Sequence, residues 1–318
     1  MRENMIKVDL ITGFLGAGKT TFIKKYARHL MEQGLSIGIL ENDYGAVNVD
    51  MMLLQELQGT QCDLSMVAGG CDADCHRRRF KTKLIAMGMS GYDRVLIEPS
   101  GIFDVDEFYD VLYEEPLNRW YETGNVIAIV DGGLEDRLSS QSEFLLASQI
   151  AGAGTILLSK TGHCSREELD RTRRHLDQSL RAVRCDRSLE DVIMEKDWNS
   201  FTKRDWEQIA SGGYVHASYV KKAIRMEDTY TTQYYLDIHL QEKRAASLIS
   251  QMMSDSSCGN IFRVKGFLKR EDSGWLEINA TPRQFRLEPI ERGQEVLIVI
   301  GENLNKEQID RYILEGER

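Results

Sequence analysis

The stretch "GFLGAGKTT" at 13–21 constrains this chain more than any other. It follows the apolar run "IKVDLIT" (6–12) and opens "KTTFIKKYARHLMEQ" (19–33), where Phe22, Ile23, Tyr26 and Leu30 mark one face of a helix that stops at Gly34. Gly13, Gly18, Lys19 and Thr20 satisfy the spacing G-x-x-x-x-G-K-[ST]. A strand, a glycine-rich turn and a helix in that order make a cradle for phosphate. The backbone N–H groups of the loop, those of Gly16 and Ala17 included, turn inward, and the helix start adds the positive end of its dipole. Lys19 is then expected on the β- and γ-phosphates, the Thr20 hydroxyl on Mg²⁺, and Thr21 within the nucleotide-binding set.

Four further apolar runs, "SIGIL" (36–40), "RVLIE" (94–98), "VIAIVD" (126–131) and "TILLSK" (155–160), lack polar alternation, as strands buried on both faces of a parallel sheet do. Helical patterns lie between and after them: "DMMLLQEL" (50–57), "KTKLIAMGM" (81–89) and "SREELDRTRRHLDQSLRAV" (165–183), the last opened by a capping box of Ser165 and Glu168. The alternation predicts an α/β fold, a P-loop nucleotide-binding domain built on a doubly wound, mainly parallel sheet. "EDVIMEKDWNSFTKRDWEQIA" (190–210) reads as helix in two pieces, and the pattern changes near 215–230. Beyond it, "TTQYYLDIHL" (231–240), "NIFRVKGFLKR" (260–270), "GWLEINAT" (274–281) and "EVLIVIG" (295–301) read as strands. "EKRAASLISQMMSD" (242–255) and "NKEQIDRYILEG" (305–316) read as helices. The expected organisation is a nucleotide-binding domain over 1–220 and a smaller α+β C-terminal domain over 230–318, an antiparallel sheet with helices on one face. No catalytic constellation marks the second domain, which suits a partner or lid.

Composition narrows the setting. A length of 318 residues favours two domains, and 42% hydrophobic residues suffice for full cores. No apolar run approaches the ~20 residues needed to span a bilayer. The first residues show no apolar segment ending in a cleavage site, so a cytoplasmic protein with its six cysteines reduced is expected. A net charge of −10 disfavours sequence-blind binding to nucleic acid. The oligomeric state leaves no trace in the sequence.

In an open parallel sheet, ligands bind beyond the carboxyl ends of the strands. Glu41, Asn42 and Asp43 leave the second run there, Glu98 to Gly101 the third, Asp131 the fourth, and Ser159 and Lys160 the fifth. Glu98 has the placement of an acid acting on Mg²⁺ or its water, or else of a plain surface carboxylate. Gly101 would offer its N–H to a γ-phosphate. Lys19, Glu98 and Gly101 thus form the expected catalytic set. In "GGCDADCHRRR" (69–79), Cys71, Cys75 and His76 would sit at the start of a helix on the same edge, where thiolate, the metal-binding form, is favoured. Glu41 or Asp43 would complete a site for Zn²⁺ or Co²⁺. The same stretch would also serve as a polar loop entering a basic helix. Cys62 reads as a buried free cysteine or as a third thiol.

Taken together, these stretches resemble the CobW-like GTPases, relatives of the hydrogenase and urease nickel chaperone GTPases. The matching residues are "GFLGAGKTT", "ENDYGAVNVD", the double glycine with Cys71, "EPSG", "VIAIVDGG" and "SQIAGAGTILLSK", then "IFRVKGFL" and "VIGENLNKEQI" in the second domain. The resemblance implies Mg²⁺-dependent GTP hydrolysis coupled to delivery of a transition metal or metal cofactor to a client protein. Alternatively, it implies a nucleotide-driven switch acting on a cofactor-containing partner without metal of its own. Two departures stand out. The family's Cys-x-Cys-Cys is here "CDADC", so that Cys71 carries over and Cys75 would match the last cysteine only across an inserted residue. Its guanine-reading Asn-Lys-x-Asp is here "SKTG" (159–162), with Lys160 kept and Gly162 in place of the acid. Each lost charge-assisted hydrogen bond costs about 1.5–3 kcal/mol, so GTP is expected, with ATP open unless another acid serves.

Overall fold

The computed structural model describes residues 5–43, 49–69, 73–101, 105–221, 230–270 and 274–316. The chain divides into two compact units, one ending at Ala223 and the other starting at Ile224.

The first unit is built on seven parallel strands: β1 (Ile6–Thr12), β2 (Ile37–Asp43), β3 (Cys62–Ala68), β4 (Arg94–Pro99), β5 (Tyr121–Asp131), β6 (Thr155–Ser159) and β7 (Ile193–Met194). Their spatial order is β3-β2-β4-β1-β5-β6-β7. The central strands are apolar on both sides because helices cover both faces. One face packs on α1 (Lys19–Glu32), α2 (Val49–Leu54) and α7 (Lys203–Ala210), where Phe22, Tyr26, Leu54 and Ile209 meet Ile11, Ile37, Ile39 and Leu96. The other carries α3 (Ala73–Gly88), α4 (Val105–Leu112), α5 (Ser140–Ala151) and α6 (Arg166–Ala182). The capping box of Ser165 and Glu168 forms as expected.

Two of the seven strands escape the apolar-run reading. β3 is an edge strand in which apolar and polar residues alternate from Cys62 to Met66, and β7 is two residues long inside a stretch read as helix. The helix read at 81–89 begins earlier, at Ala73. The stretch at 190–210 is β7, a short 3₁₀ turn (Trp198–Ser200) and α7, rather than two helices.

Asp9, in the middle of β1, is wholly buried. Its Oδ2 accepts hydrogen bonds from Arg94 at 2.9 Å and from the Tyr26 hydroxyl at 2.8 Å. Its Oδ1 accepts from the backbone N–H of Asn125 at 2.8 Å. The β1–β5 register slips at this point, Val8 facing Thr123 and Leu10 facing Val126, so β5 carries an extra residue opposite Asp9. That bulge turns the Asn125 N–H onto the carboxylate. Gly124 is required there, since a Cβ would stand 2.3 Å from Asp9 Oδ1. Burial pushes the Asp9 carboxyl up, against the pull of Arg94.

The second unit is a five-stranded antiparallel sheet in the order β11-β10-β9-β12-β8: β8 (Tyr230–Leu236), β9 (Asn260–Lys269), β10 (Trp275–Thr281), β11 (Gln284–Ile290) and β12 (Val296–Glu302). Helices α8 (Glu242–Ser254) and α9 (Lys306–Gly316) bring Ile249, Met252, Ile309 and Ile313 onto Val264, Ile278, Leu297 and Val299. β11, rich in polar and exposed residues, was not legible as a strand.

Arg94→Met removes one partner of a buried pair and leaves the Asp9 charge behind. It should lower unfolding free energy by about 3–5 kcal/mol, measured by urea denaturation followed by circular dichroism.

Candidate functional site

The β1–α1 connection is a tight loop with three glycines at positive φ: Gly13 (141°), Gly16 (75°) and Gly18 (104°). Gly13 has no room for a side chain, as a Cβ would meet the Ile129 carbonyl oxygen at 2.2 Å. Ala17 is buried and its N–H bonds to the Phe14 carbonyl, while Thr21 is exposed on the first turn of α1. Lys19 is buried, with Nζ donating to the Gly13 carbonyl at 3.1 Å.

The neighbouring strand ends supply carboxylates. The Thr20 hydroxyl donates to Glu98 Oε1 at 2.8 Å. Parallel pairing of β2 with β4 sets Glu41 directly opposite Glu98. Both are buried, at 2% and 4% exposure. Burial raises the Glu98 pKa, helped by the charge of Asp50 on α2 and opposed by Lys19 and by hydrogen bonds with Glu41 and Thr20. Two carboxyls share a hydrogen bond only while one keeps a proton, and a divalent cation is the natural replacement for that proton. The residues therefore fit Mg²⁺ beside the Thr20 hydroxyl. Asp50 was not singled out from the sequence; its signal was an acid opening the helix after the second strand.

Gly101 abuts the loop from the same side, a Cβ there falling 2.6 Å from the Leu15 nitrogen. On the other side of the loop lie the ends of β6 and β7. Ser159 is buried, and Lys160, at φ 55°, places Nζ 2.6 Å from Asp131 Oδ2. A Cβ on Gly18 would touch the Trp198 ring at 3.5 Å and the Ser159 Cβ at 3.8 Å.

The cysteine-rich stretch divides differently from the expected ligand set. Cys71 lies outside the described residues, and of Asp43 only the backbone is described, as the last residue of β2. Cys75 is a partly buried cysteine in the first turn of α3. His76 is fully buried, with Nδ1 3.0 Å from the Gly69 carbonyl and Nε2 2.7 Å from Asn42 Oδ1. Both ring nitrogens thus have partners within the fold, Gly69 and Asn42, and the imidazole expected as a metal ligand fastens α3 to β2. Successive residues of a strand point to opposite faces, so Glu41 joins Glu98 on the α1 face while Asn42 joins His76 on the α3 face. Among the described residues, no group of three or more His, Cys, Asp or Glu side chains is placed to hold a metal ion. Cys62 starts β3 at the end opposite the site, 1% exposed, its thiol pushed up to about 11 mainly by burial. It is a buried cysteine and not a third thiol. The Arg77 side chain pairs with Glu114, as does Lys81.

Comparison with known proteins adds a second line. The family model for the CobW/HypB/UreG nucleotide-binding domain matches residues 7–187. That for the cobalamin synthesis protein cobW C-terminal domain matches residues 232–315. The zinc chaperone YjiA of Escherichia coli is 34% identical over 168 residues, 50% of this chain and 50% of that protein. The zinc chaperone YeiR of the same organism is 29% identical over 179 residues, 55% of this chain and 50% of that one. The chain spans about half the length of these curated relatives. The hydrogenase maturation factor HypB from Archaeoglobus fulgidus gives a TM-score of 0.42 at 17% identity, covering 64% of this chain and 86% of that chain. No described helix is long and apolar enough to cross a membrane.

A thiol titrating at about 11 is ionised to roughly one part in a thousand at pH 8. Iodoacetamide at pH 8 should therefore modify Cys75 and spare Cys62 in the folded protein, read by peptide mass mapping. Labelling of Cys62 should rise only as pH approaches about 11. The sign follows from the raised value: the stability held by the neutral thiol is complete below its unfolded pKa and fades as pH climbs toward the folded one.

Proposed function

The chain belongs to the CobW/HypB/UreG family, and from that premise we propose that it is a Mg²⁺-dependent GTP-hydrolysing metallochaperone or metalloenzyme activator. Its nucleotide state would govern the binding of a transition metal, Zn²⁺ before Co²⁺, and its delivery to a client metalloenzyme or cofactor protein. The observation that carries this reading is the cluster of Thr20, Glu98 and Glu41 against a glycine loop shaped for phosphates. In this reading Gly13 to Thr21 hold the phosphates by backbone N–H groups and Lys19 neutralises the β- and γ-oxygens. Thr20 and Glu98 would hold Mg²⁺, which when bound would supply charge stabilisation to the phosphate oxygens. Gly101 packs so closely on Leu15 that its backbone is the group offered toward the terminal phosphate. Ser159 and Lys160 face the nucleoside side.

For the transported metal we assign Cys71 and Cys75, with Asp43 as the carboxylate, Glu41 being engaged beside Glu98. The relatives named as zinc chaperones support Zn²⁺ as the ion. A second reading, motivated by the altered motif "CDADC" in place of Cys-x-Cys-Cys, is a nucleotide-driven switch that acts on a cofactor-containing partner and carries no metal.

One experiment tests the hydrolytic site common to both readings, and a second separates them. Glu98→Gln should cut Mg²⁺-dependent GTP hydrolysis at least about tenfold while leaving the fold intact, measured by phosphate release and thermal melting. Equilibrium Zn²⁺ titration of the reduced, metal-free protein, with a non-hydrolysable GTP analogue or with GDP, should find one tight site whose affinity differs between the two. Cys71→Ser with Cys75→Ser should abolish it. Absence of tight Zn²⁺ in both states supports the switch instead.

A further inference from the structure

The sequence leaves the base-reading position empty: Gly162 offers no side chain. We propose that Asp197, carried by the loop after β7, supplies the carboxylate that reads guanine. This inference rests on the nucleotide-binding reading above.

The geometry begins with the two sides of the phosphate loop. Thr20, Glu98 and Gly101 mark the side where cation and terminal phosphate belong. The nucleoside must then extend the other way, past Gly18, toward the ends of β6 and β7. Those strands are parallel neighbours, Ile156 opposite Ile193 and Leu157 opposite Met194. The residues that leave them therefore emerge side by side on the ligand edge. A Cβ on Gly162 would stand 3.5 Å from Asp197 Oδ2, with no other heavy atom of the described residues within 4 Å. The oxygen of Asp197 thus lies in van der Waals contact with the point where a side chain at 162 would begin. An aspartate at both positions would set two carboxylates against each other.

The carboxylate is also held still. Asp197 Oδ1 accepts from the Asn199 backbone N–H at 2.7 Å, and the Asp197 carbonyl accepts from the Ser200 hydroxyl at 2.7 Å. Trp198 packs edge-on against Phe22 with ring centroids 5.5 Å apart, and Lys25 Nζ donates to Asn199 Oδ1 at 2.8 Å. The loop is thereby fastened to α1, the helix that opens at the phosphate loop, which fixes the distance between the phosphate site and the acid. Oδ2 accepts no hydrogen bond among the described residues.

Guanine presents two N–H donors, at N1 and at its 2-amino group, to a fixed acceptor. Adenine presents a bare N1 lone pair there, which a carboxylate repels. An exposed but pre-positioned Asp197 therefore selects guanine by attraction and rejects adenine by repulsion.

The test is Asp197→Asn in the full chain, with fluorescent GTP, ATP and XTP analogues as probes. Asparagine still accepts from the Asn199 N–H but can place an amide N–H₂ where Oδ2 stood. GTP should bind about tenfold or more weaker. XTP, whose 2-oxo group accepts from that amide, should gain, and ATP should hold or improve. Gly162→Asp added to Asp197→Ala should restore GTP binding relative to Asp197→Ala alone. Unchanged GTP, ATP and XTP affinities in a folded Asp197→Asn variant overturn the assignment and leave the nucleotide-binding reading standing. A wild-type chain that binds no nucleoside triphosphate overturns both.

Discussion

A carboxylate buried in the middle of the central strand would destabilise most sheets; here it ties the first domain together. Asp9 receives Arg94 from β4, Tyr26 from α1 and the Asn125 N–H from β5. Asn125 in turn accepts from the Gly213 N–H and donates to the Ala210 carbonyl at the exit of α7. Each partner comes from a different element, so the charge is neutralised only when all of them are docked. A buried ion pair is a modest source of net stability against apolar packing, but an unpaired charge there excludes any arrangement in which β1, α1 and β5 are misaligned. The phosphate loop is the connection between β1 and α1. Clamping both elements from beneath lets three glycines of unfavourable backbone entropy hold one shape above.

That clamp also sets the register from which the site follows. With β4 fixed against β1, and β2 against β4, Glu41 and Glu98 arrive side by side at the carboxyl edge. Side by side, both cannot stay charged without a counterion, so a shared proton, or a cation, is part of the site. The next residue of β2 turns to the other face and meets His76. Strand β2 therefore ends with one side chain in the phosphate site and its neighbour holding the helix that carries Cys75. A shift of this strand end on nucleotide binding would bear on both faces at once, which is the mechanical content of a coupling between nucleotide and metal.

The parts of this arrangement that were legible in the sequence are those written in local rules. The glycine loop, Thr20 and Glu98 depend on spacing within a few residues and on the end of an apolar run. The capping box of α6 is a four-residue pattern. What was illegible depends on tertiary context. Strand β3 alternates and lies at an edge, and β7 is too short for any periodicity. Helix α5 is buried along most of its length, so "FLLASQIA" shows no amphipathic stripe. Asp9 looked like one polar residue in a strand, and nothing within ten residues of it names Arg94 or Asn125. Asp197 is a turn residue by local reading; only the pairing of β6 with β7 puts it beside Gly162.

His76 shows how far a ligand-like residue can be settled by hydrogen bonding alone. Nδ1 faces a carbonyl oxygen and must carry a proton. If Asn42 turned Oδ1 toward Nε2, the ring would need a second proton and a positive charge in a fully buried place. It would also leave the Asn42 amide N–H₂ without an acceptor among the described residues. Rotating that amide by half a turn removes both costs: its N–H₂ then donates to a neutral Nε2, and the group left over is a carbonyl oxygen, cheaper to leave unmatched than a donor. The neutral imidazole is therefore a bridge with one donor and one acceptor, both used inside the fold. A metal could recruit it only by releasing α3 from β2.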